Sequence, residues 1–179
     1  EEMSVTTGGL NAEYGSVQGA VVNVVSKSGG NKFSGMASFY LDHESLQSDN
    51  TGKIDDMESR KVGSKIKYEP VLTLGGPIIK NKLWFFLNGS FVNEESYVPG
   101  YPYDQDDEIA PKMKRFYPYV KLTYSPTQKD KFIMSYNFYD NRNDHRYASE
   151  YMLEETTTQQ TNATHTFNVR WTHLFGDNF

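Results

Sequence analysis

Residues Gly8 to Asn31 read GGLNAEYGSVQGAVVNVVSKSGGN, and the character of the chain changes twice within them. Gly8, Gly9, Gly15 and Gly19 come first, and glycine at that density marks positive φ angles or backbone passing close to backbone. Ala20-Val21-Val22-Asn23-Val24-Val25 follows, a mostly β-branched run without alternation, which is the pattern of a short strand buried on both faces. Ser26 to Asn31, SKSGGN, is a polar, glycine-containing breaker. From Phe33 a strict period of two sets in and persists to the end. Residues 1–31 are therefore the expected end of one domain, and residues 32–179 an expected two-faced sheet.

Working outward from the breaker, Phe33, Gly35, Ala37, Phe39 and Leu41 share one face, with Ser34, Met36, Ser38, Tyr40 and Asp42 opposite. A second strand over about 66–78 puts Tyr68, Pro70, Leu72, Leu74, Gly76 and Ile78 on its apolar face. Pro70 lacks a ladder donor, so a bulge or strand start is expected there. Lys80-Asn81-Lys82 reads as a tight turn into Leu83, Phe85, Leu87, Gly89 and Phe91, with Asn88, Ser90 and Glu94 opposite. Phe116, Pro118, Val120, Leu122 and Tyr124 alternate with Tyr117, Tyr119, Lys121 and Thr123, and Lys121 in mid-strand must meet water or a partner. After the turn Ser125 to Asp130, Phe132, Met134, Tyr136 and Phe138 oppose Ile133, Ser135, Asn137 and Tyr139. The last strand sets Phe167, Val169 and Trp171 against Asn168, Arg170 and Thr172, and Gly176-Asp177-Asn178 reads as a turn into a further strand rather than as the approach to a terminal Phe179.

The fold class expected is thus all-β, with about six antiparallel strands. Connections alternate long and short, with long loops near 43–64, 97–113 and 140–160, which is the signature of a transmembrane β-barrel with short periplasmic turns and long outer loops. Span lengths agree. Phe116 to Tyr124 rises about 26 Å at roughly 3.3 Å per residue, and a tilt of about 40° projects this close to the apolar band of about 25 Å. Six strands in lipid leave open edges whose backbone groups go unpaired. Closure is expected from chain beyond this sequence, which opens at Glu1-Glu2-Met3 and reads as an internal piece.

Composition narrows the classes further. The 179 residues hold no cysteine, so no disulfide framework or thiolate site arises, and the net charge of −5 argues against a nucleic-acid partner. Mean hydropathy is −0.68 and no long apolar run is present, which rules out a spanning helix but leaves a barrel open, since barrel strands dilute apolar residues with polar ones. The aromatic content of 15% favours the barrel.

Two motifs resemble one family. The Gly8-Gly9 pair, Ala12-Glu13-Tyr14-Gly15, Gly19 to Val25 and Lys27-Ser28-Gly29 look like the end of the plug of a TonB-dependent outer-membrane transporter, closest to its Oar-like branch. Gly75-Gly76-Pro77-Ile78-Ile79-Lys80-Asn81-Lys82-Leu83-Trp84-Phe85-Phe86 is similar to an early barrel hairpin of the same branch. Ala20 stands where the family's common form has a second glycine, and Thr7-Gly8-Gly9 where it has Arg-Gly-Pro, so the siderophore receptors fit less well. The resemblance implies the C-terminal end of a plug domain at 1–31, the first strands of a barrel at 32–179, and a bacterial outer-membrane location. It also implies capture of a solute, peptide or glycan at the cell surface and energy from the inner-membrane proton gradient through the TonB complex. The segment touching TonB is expected upstream, the protein is not expected to be an enzyme, and outer-membrane lipid is the other expected partner. The rival reading is a soluble extracellular all-β binding or adhesion domain whose apolar face packs on a second sheet. A passive porin is disfavoured by the segment before the first strand.

No catalytic, cofactor-binding or metal residue is assigned, and the substrate-binding residues are unknown. Asp104, Asp106, Asp107 and Glu108 offer oxygen ligands for a hard cation but lack the glycine turn and distal glutamate of an EF-hand; solvated loop charge is the plainer account. Tyr97, Tyr101 and Tyr103 with Pro99 and Pro102 form either a semi-rigid aromatic surface for sugar or peptide or loop packing over a barrel mouth. His43, His145, His165 and His173 show no ligand spacing, and His145 beside Asp144 reads equally as exposed loop. No nucleophile elbow is present, and no helix N-terminus follows Gly8-Gly9 or Gly29-Gly30 to hold phosphate. Lys121 and Arg170 are candidates to pair with a plug carboxylate such as Glu13, or else simply to meet lumen water. Polar lumen residues such as Asn88, Lys121, Asn137 and Arg170 would hold a plug by contacts that break without unfolding the barrel.

Overall fold

The period of two commits the chain to extended structure, because only a strand sorts alternate side chains onto opposite faces. A computed structural model of the protein describes residues 2–6, 21–48, 63–98, 110–149, 151–152 and 154–176. Within them the fold is all-β: β1 (Glu2–Thr6), β2 (Val21–Val25), β3 (Ser34–His43), β4 (Ser64–Ile79), β5 (Leu83–Ser96), β6 (Lys112–Tyr124), β7 (Asp130–Arg146) and β8 (Thr158–His173). Helix among the described residues amounts to single 3-10 turns at Glu44–Leu46 and Glu154–Thr156. β1 and β2 pair antiparallel, while β3 to β8 form one antiparallel sheet in sequence order, the arrangement of a stretch of up-and-down barrel wall. The expected double-sided burial of the Ala20–Val25 run concerns side chains outside the described residues.

Register carries the two faces across the whole sheet. The row Gly35, Leu74, Leu87, Val120, Tyr136, Phe167 crosses all six strands on one face. One residue along, Ser34, Gly75, Phe86, Lys121, Ser135 and Asn168 form the neighbouring row on the other. A slip of one position in any ladder would exchange the two sets, so the hydrophobic pattern fixes the register. The apolar face is open among the described residues: Phe39 is 63% exposed, Leu72 61% and Phe167 75%. Aromatic side chains run along it in cross-strand contact, with Tyr136 and Phe167 4.6 Å apart between centroids and Phe132 stacked on Trp171 at 6.0 Å. Burial falls instead on the polar face, at Phe86, Lys121 and Thr123, and near the long connections, at Val92, Tyr97, Val98, Ala110 and Asn141.

Three expectations need correction. The loop expected at 140–160 is far shorter, because β7 continues through Arg146 and β8 begins at Thr158. Polar residues extend that hairpin beyond the apolar part of the sheet, for example Asp140 opposite Ala163 and Asn141 opposite Asn162. The strands expected at 66–78 and from Phe116 likewise lengthen, to Ser64–Ile79 and Lys112–Tyr124. Pro70 marks neither a bulge nor a strand start. It sits in unbroken register opposite Phe39, and the missing donor is accommodated on the other side, where the ladder to β5 has no pair between Tyr68–Asn93 and Val71–Ser90. Pro118 repeats the device, paired with Gly89 on one side and falling in a gap of the β6–β7 ladder on the other. The register shifts of β4 lie at its ends, between Ser64 and Ile66 and between Pro77 and Ile79.

Gly75 and Gly76 bridge the two faces. On the apolar side the ring of Phe33 folds over Gly76, where a Cβ would overlap it, and reaches Phe85 at 6.3 Å between centroids. Gly76→Val is therefore expected to cost about 1–3 kcal/mol through forced repacking, with Phe33→Ala in the same chain recovering part of the loss. Denaturant midpoints of the two single variants and the double variant check this, and strictly additive losses would remove the Phe33–Gly76 contact as the cause.

Candidate functional site

Residues Ser26 to Asn31 leave β2 and cross the polar face of the sheet before entering β3, and every contact of this strap has a local cause. Ser26 has a short hydroxyl and a free backbone carbonyl because SKSGGN forms no ladder of its own. Lys121 projects from mid-β6 on the same face and donates from Nζ to Ser26 O at 3.1 Å and to Ser26 Oγ at 3.0 Å. The hydroxyls of Ser26 and Tyr119 lie 3.0 Å apart in a further hydrogen bond. Lys121 is only 8% exposed, so the strap supplies the oxygen partners that a desolvated ammonium requires.

Farther along, Gly29 lies flat on the sheet. A Cβ there would overlap the carbonyl oxygen of Phe85 and come within 3.0 Å of the carbonyl oxygen of Gly76, and a Cβ on Gly75 would reach Gly29 Cα at 3.5 Å. Glycine on both sides lets backbone meet backbone. Asn31 then closes the strap at the short-turn end. Its Oδ1 accepts from Asn81 N and from Trp84 Nε1, both at 2.8 Å, and its Nδ2 donates to Asn81 Oδ1 at 2.6 Å. Asn81 holds φ 62° at the centre of the Lys80–Lys82 turn, a left-handed conformation that asparagine tolerates better than most residues.

Beside the Ser26 contact lies an open hollow of about 310 Å³ lined by Ser26, Phe86, Asn88, Tyr117, Tyr119 and Asn137. Phe86 meets Tyr119 edge to face at 6.4 Å, and Tyr117 stacks on Tyr139 at 5.2 Å. The wall offers uncharged amide and hydroxyl groups and aromatic surface, with cations at Lys121, Lys131 and Arg170 nearer the short turns. Such a lining suits polar contacts made by hydrogen bonds and rings, and no described residues on it combine a nucleophile with a base.

Of the residues singled out in the sequence, Lys121, Asn88 and Asn137 come together here. Arg170 shares the face but stays exposed. Lys121 bonds the serine of the strap; Glu13 lies outside the described residues, as do Asp104, Asp106, Asp107, Glu108, Pro99, Tyr101, Pro102 and Tyr103. Tyr97 is buried, its hydroxyl donating to the Glu44 carboxylate while its backbone N–H donates to Gly63 O at 2.9 Å. It ties two long connections together. The histidines are scattered: His43 Nδ1 accepts from Ser45 N, His145 meets Thr157, His165 meets Tyr136, and His173 meets Asp130. Sequence reasoning missed Ser26, Asn31, Asn81 and Trp84 as partners, since single polar residues far apart in the chain leave no periodic trace. A usable signal was the paired glycines at 29–30 and 75–76.

A hydrogen bond to a charged group contributes about 1.5–3 kcal/mol. Lys121→Met keeps the length of the side chain and removes the donor, so the strap is expected to open at least about tenfold more often. Amide hydrogen exchange over 26–31 reads this, with Lys131→Met as the control on the same wall. Unchanged protection in Lys121→Met would show that Lys121 does not hold the strap.

Compared with known proteins, the chain is 35% identical over 94 residues to the TonB-dependent transporter Oar of Myxococcus xanthus, a match covering 48% of this chain and 8% of that protein. No family model matches the chain, and no solved structure matches it. The likeness is therefore to a TonB-dependent transporter over about half of the chain, which spans less than a tenth of that relative's length.

Proposed function

We propose that this chain is part of a TonB-dependent outer-membrane transporter, with residues 1–31 as the end of a plug and β3–β8 as the first strands of the barrel around it. The observation that carries the reading is the strap, residues 26–31, held on the polar face by Lys121, Tyr119, Asn81 and Trp84. The partial likeness to a protein named as a TonB-dependent transporter supports it. So does the open apolar face, since a contiguous surface of phenylalanine, leucine and tryptophan is a liability in water and suits lipid tails.

In this reading the long connections capture a solute at the cell surface, and the hollow beside Ser26 lies on its path along the wall. Force from the proton gradient, delivered through TonB to plug residues, breaks the few polar contacts of the strap while the barrel ladders stay intact. The chemistry is binding and release, with no bond made or broken in the solute. A few modest polar contacts suit that cycle better than an apolar plug–barrel core, which would resist remodelling by about 1.5–3 kcal/mol per buried side chain.

The test compares the medium of cells with and without the gene by untargeted mass spectrometry, in the presence and absence of a protonophore. Solutes taken up or released only when both the gene and the gradient are present are the expected result. Gene-dependent flux that persists without the gradient would overturn energised transport.

A further inference from the structure

The charge of the sheet is divided between its two ends. On or directly beside the three connections at the short-turn end, Lys32, Lys80, Lys82, Lys129 and Lys131 are all exposed, and Asp130 at the start of β7 is the acid described among them. That acid is engaged within its own turn and strand pair, by His173 at 2.7 Å, Thr127 at 2.8 Å and Trp171 at 3.2 Å. Lys32, Lys80, Lys82 and Lys131 form no ion pair among the described residues. At the opposite end carboxylates stand among the cations, with Lys65 against Glu95 at 3.4 Å, Lys67 against Glu94 at 3.5 Å and Arg142 against Asp140 at 3.3 Å, although Lys114, Arg115 and Arg146 form no ion pair among the described residues. In a chain of net charge −5 the short turns are thus a local excess of positive charge.

Directly next to these lysines the apolar face carries its aromatic edge. Phe33, Tyr124, Phe132 and Trp171 lie within one or two positions of the turns, with Tyr124 stacked on Phe132 at 6.3 Å and Phe132 on Trp171 at 6.0 Å. Aromatic rings of this kind settle at the headgroup level of a bilayer. Ammonium groups one step farther out then lie at the depth of lipid phosphates, where each basic residue contributes about a fivefold gain in affinity for an anionic surface.

We propose that Lys32, Lys80 and Lys82 form a basic collar that binds anionic phospholipid headgroups of the leaflet facing the short turns. This rests on the barrel reading above and goes beyond it, because a barrel can sit in a bilayer without preferring anionic lipid. Phosphatidylglycerol is the headgroup chemistry that fits: a single negative phosphodiester without the ammonium that would compete with the lysines. The collar would also fix which end of the wall meets phospholipid.

The test uses the full-length natural protein inserted in nanodiscs of phosphatidylethanolamine with or without phosphatidylglycerol. Lipid retained after extraction is counted by native mass spectrometry. The expected result is phosphatidylglycerol retained about tenfold or more over phosphatidylethanolamine, with the preference weakened at about 0.5 M salt and lost in K32Q/K80Q/K82Q. A matched variant of the other end, K65Q/K67Q/K112Q, is expected to keep it. Inorganic phosphate at equal concentration is expected not to displace the lipid; displacement would mean a free-phosphate site and overturn the proposal. Equal retention of the two lipids by the wild-type protein would overturn it too, and does not depend on the variant folding. Failure of the wild-type protein to insert into any bilayer would instead overturn the barrel reading, so the two failures are distinguishable.

Discussion

Everything in this sheet depends on the parity of its ladders. Five antiparallel pairings in succession keep Gly35, Leu74, Leu87, Val120, Tyr136 and Phe167 in one row and set Lys121 and Ser135 one step away on the reverse side. Because side chains alternate strictly along a strand, a single error anywhere would place a lysine among phenylalanines. The irregularities that occur are consistent with that limit. The register shifts lie near strand ends, at Ser64–Ile66, Pro77–Ile79 and Asn143–Arg146, and not in the middle of the apolar face. The two mid-strand prolines each give up pairing on one side while their other ladder keeps count.

Two interiors are in play, and they differ in kind. The apolar face is broad and open among the described residues, while the polar face has a small buried patch roofed by six residues of strap. Lys121 is central to that patch. Its ammonium would be costly to bury without oxygen partners, and Ser26 supplies two of them. The strap is thereby fixed at a definite position on the wall, and glycine at 29 and 75 allows it to lie close enough for those bonds to form.

Much of this was legible in the sequence where chemistry is periodic. The six strands, their order of long and short connections and the sidedness of each follow from alternation of apolar residues, and Lys121 stood out as a mid-strand charge in need of a partner. Legibility stopped where the pattern stopped. Residues 140–146 continue β7 although every one of them is polar, since a hairpin outside an apolar environment is carried by backbone pairing and polar cross-strand contacts that leave no hydrophobic period. The strap contacts were hidden for a different reason: Ser26 and Lys121 are 95 positions apart, and a pair that meets once leaves no repeating mark.

The two anchorages of the strap also differ in their mechanical situation. Asn31 is tied next to the root of β3, whereas Ser26 is tied at the far end, adjoining β2. Tension arriving from the β2 side therefore loads the serine first and reaches the asparagine only after Gly29 has lifted away. Such a joint peels bond by bond instead of shearing all at once, so the peak force is set by the single contact at the peeling front rather than by the sum of them. The β3–β4 ladder, by contrast, would resist a pull along its strands with all its bonds in parallel. The direction of the chain at this junction makes the strap the weak link and the wall the strong one.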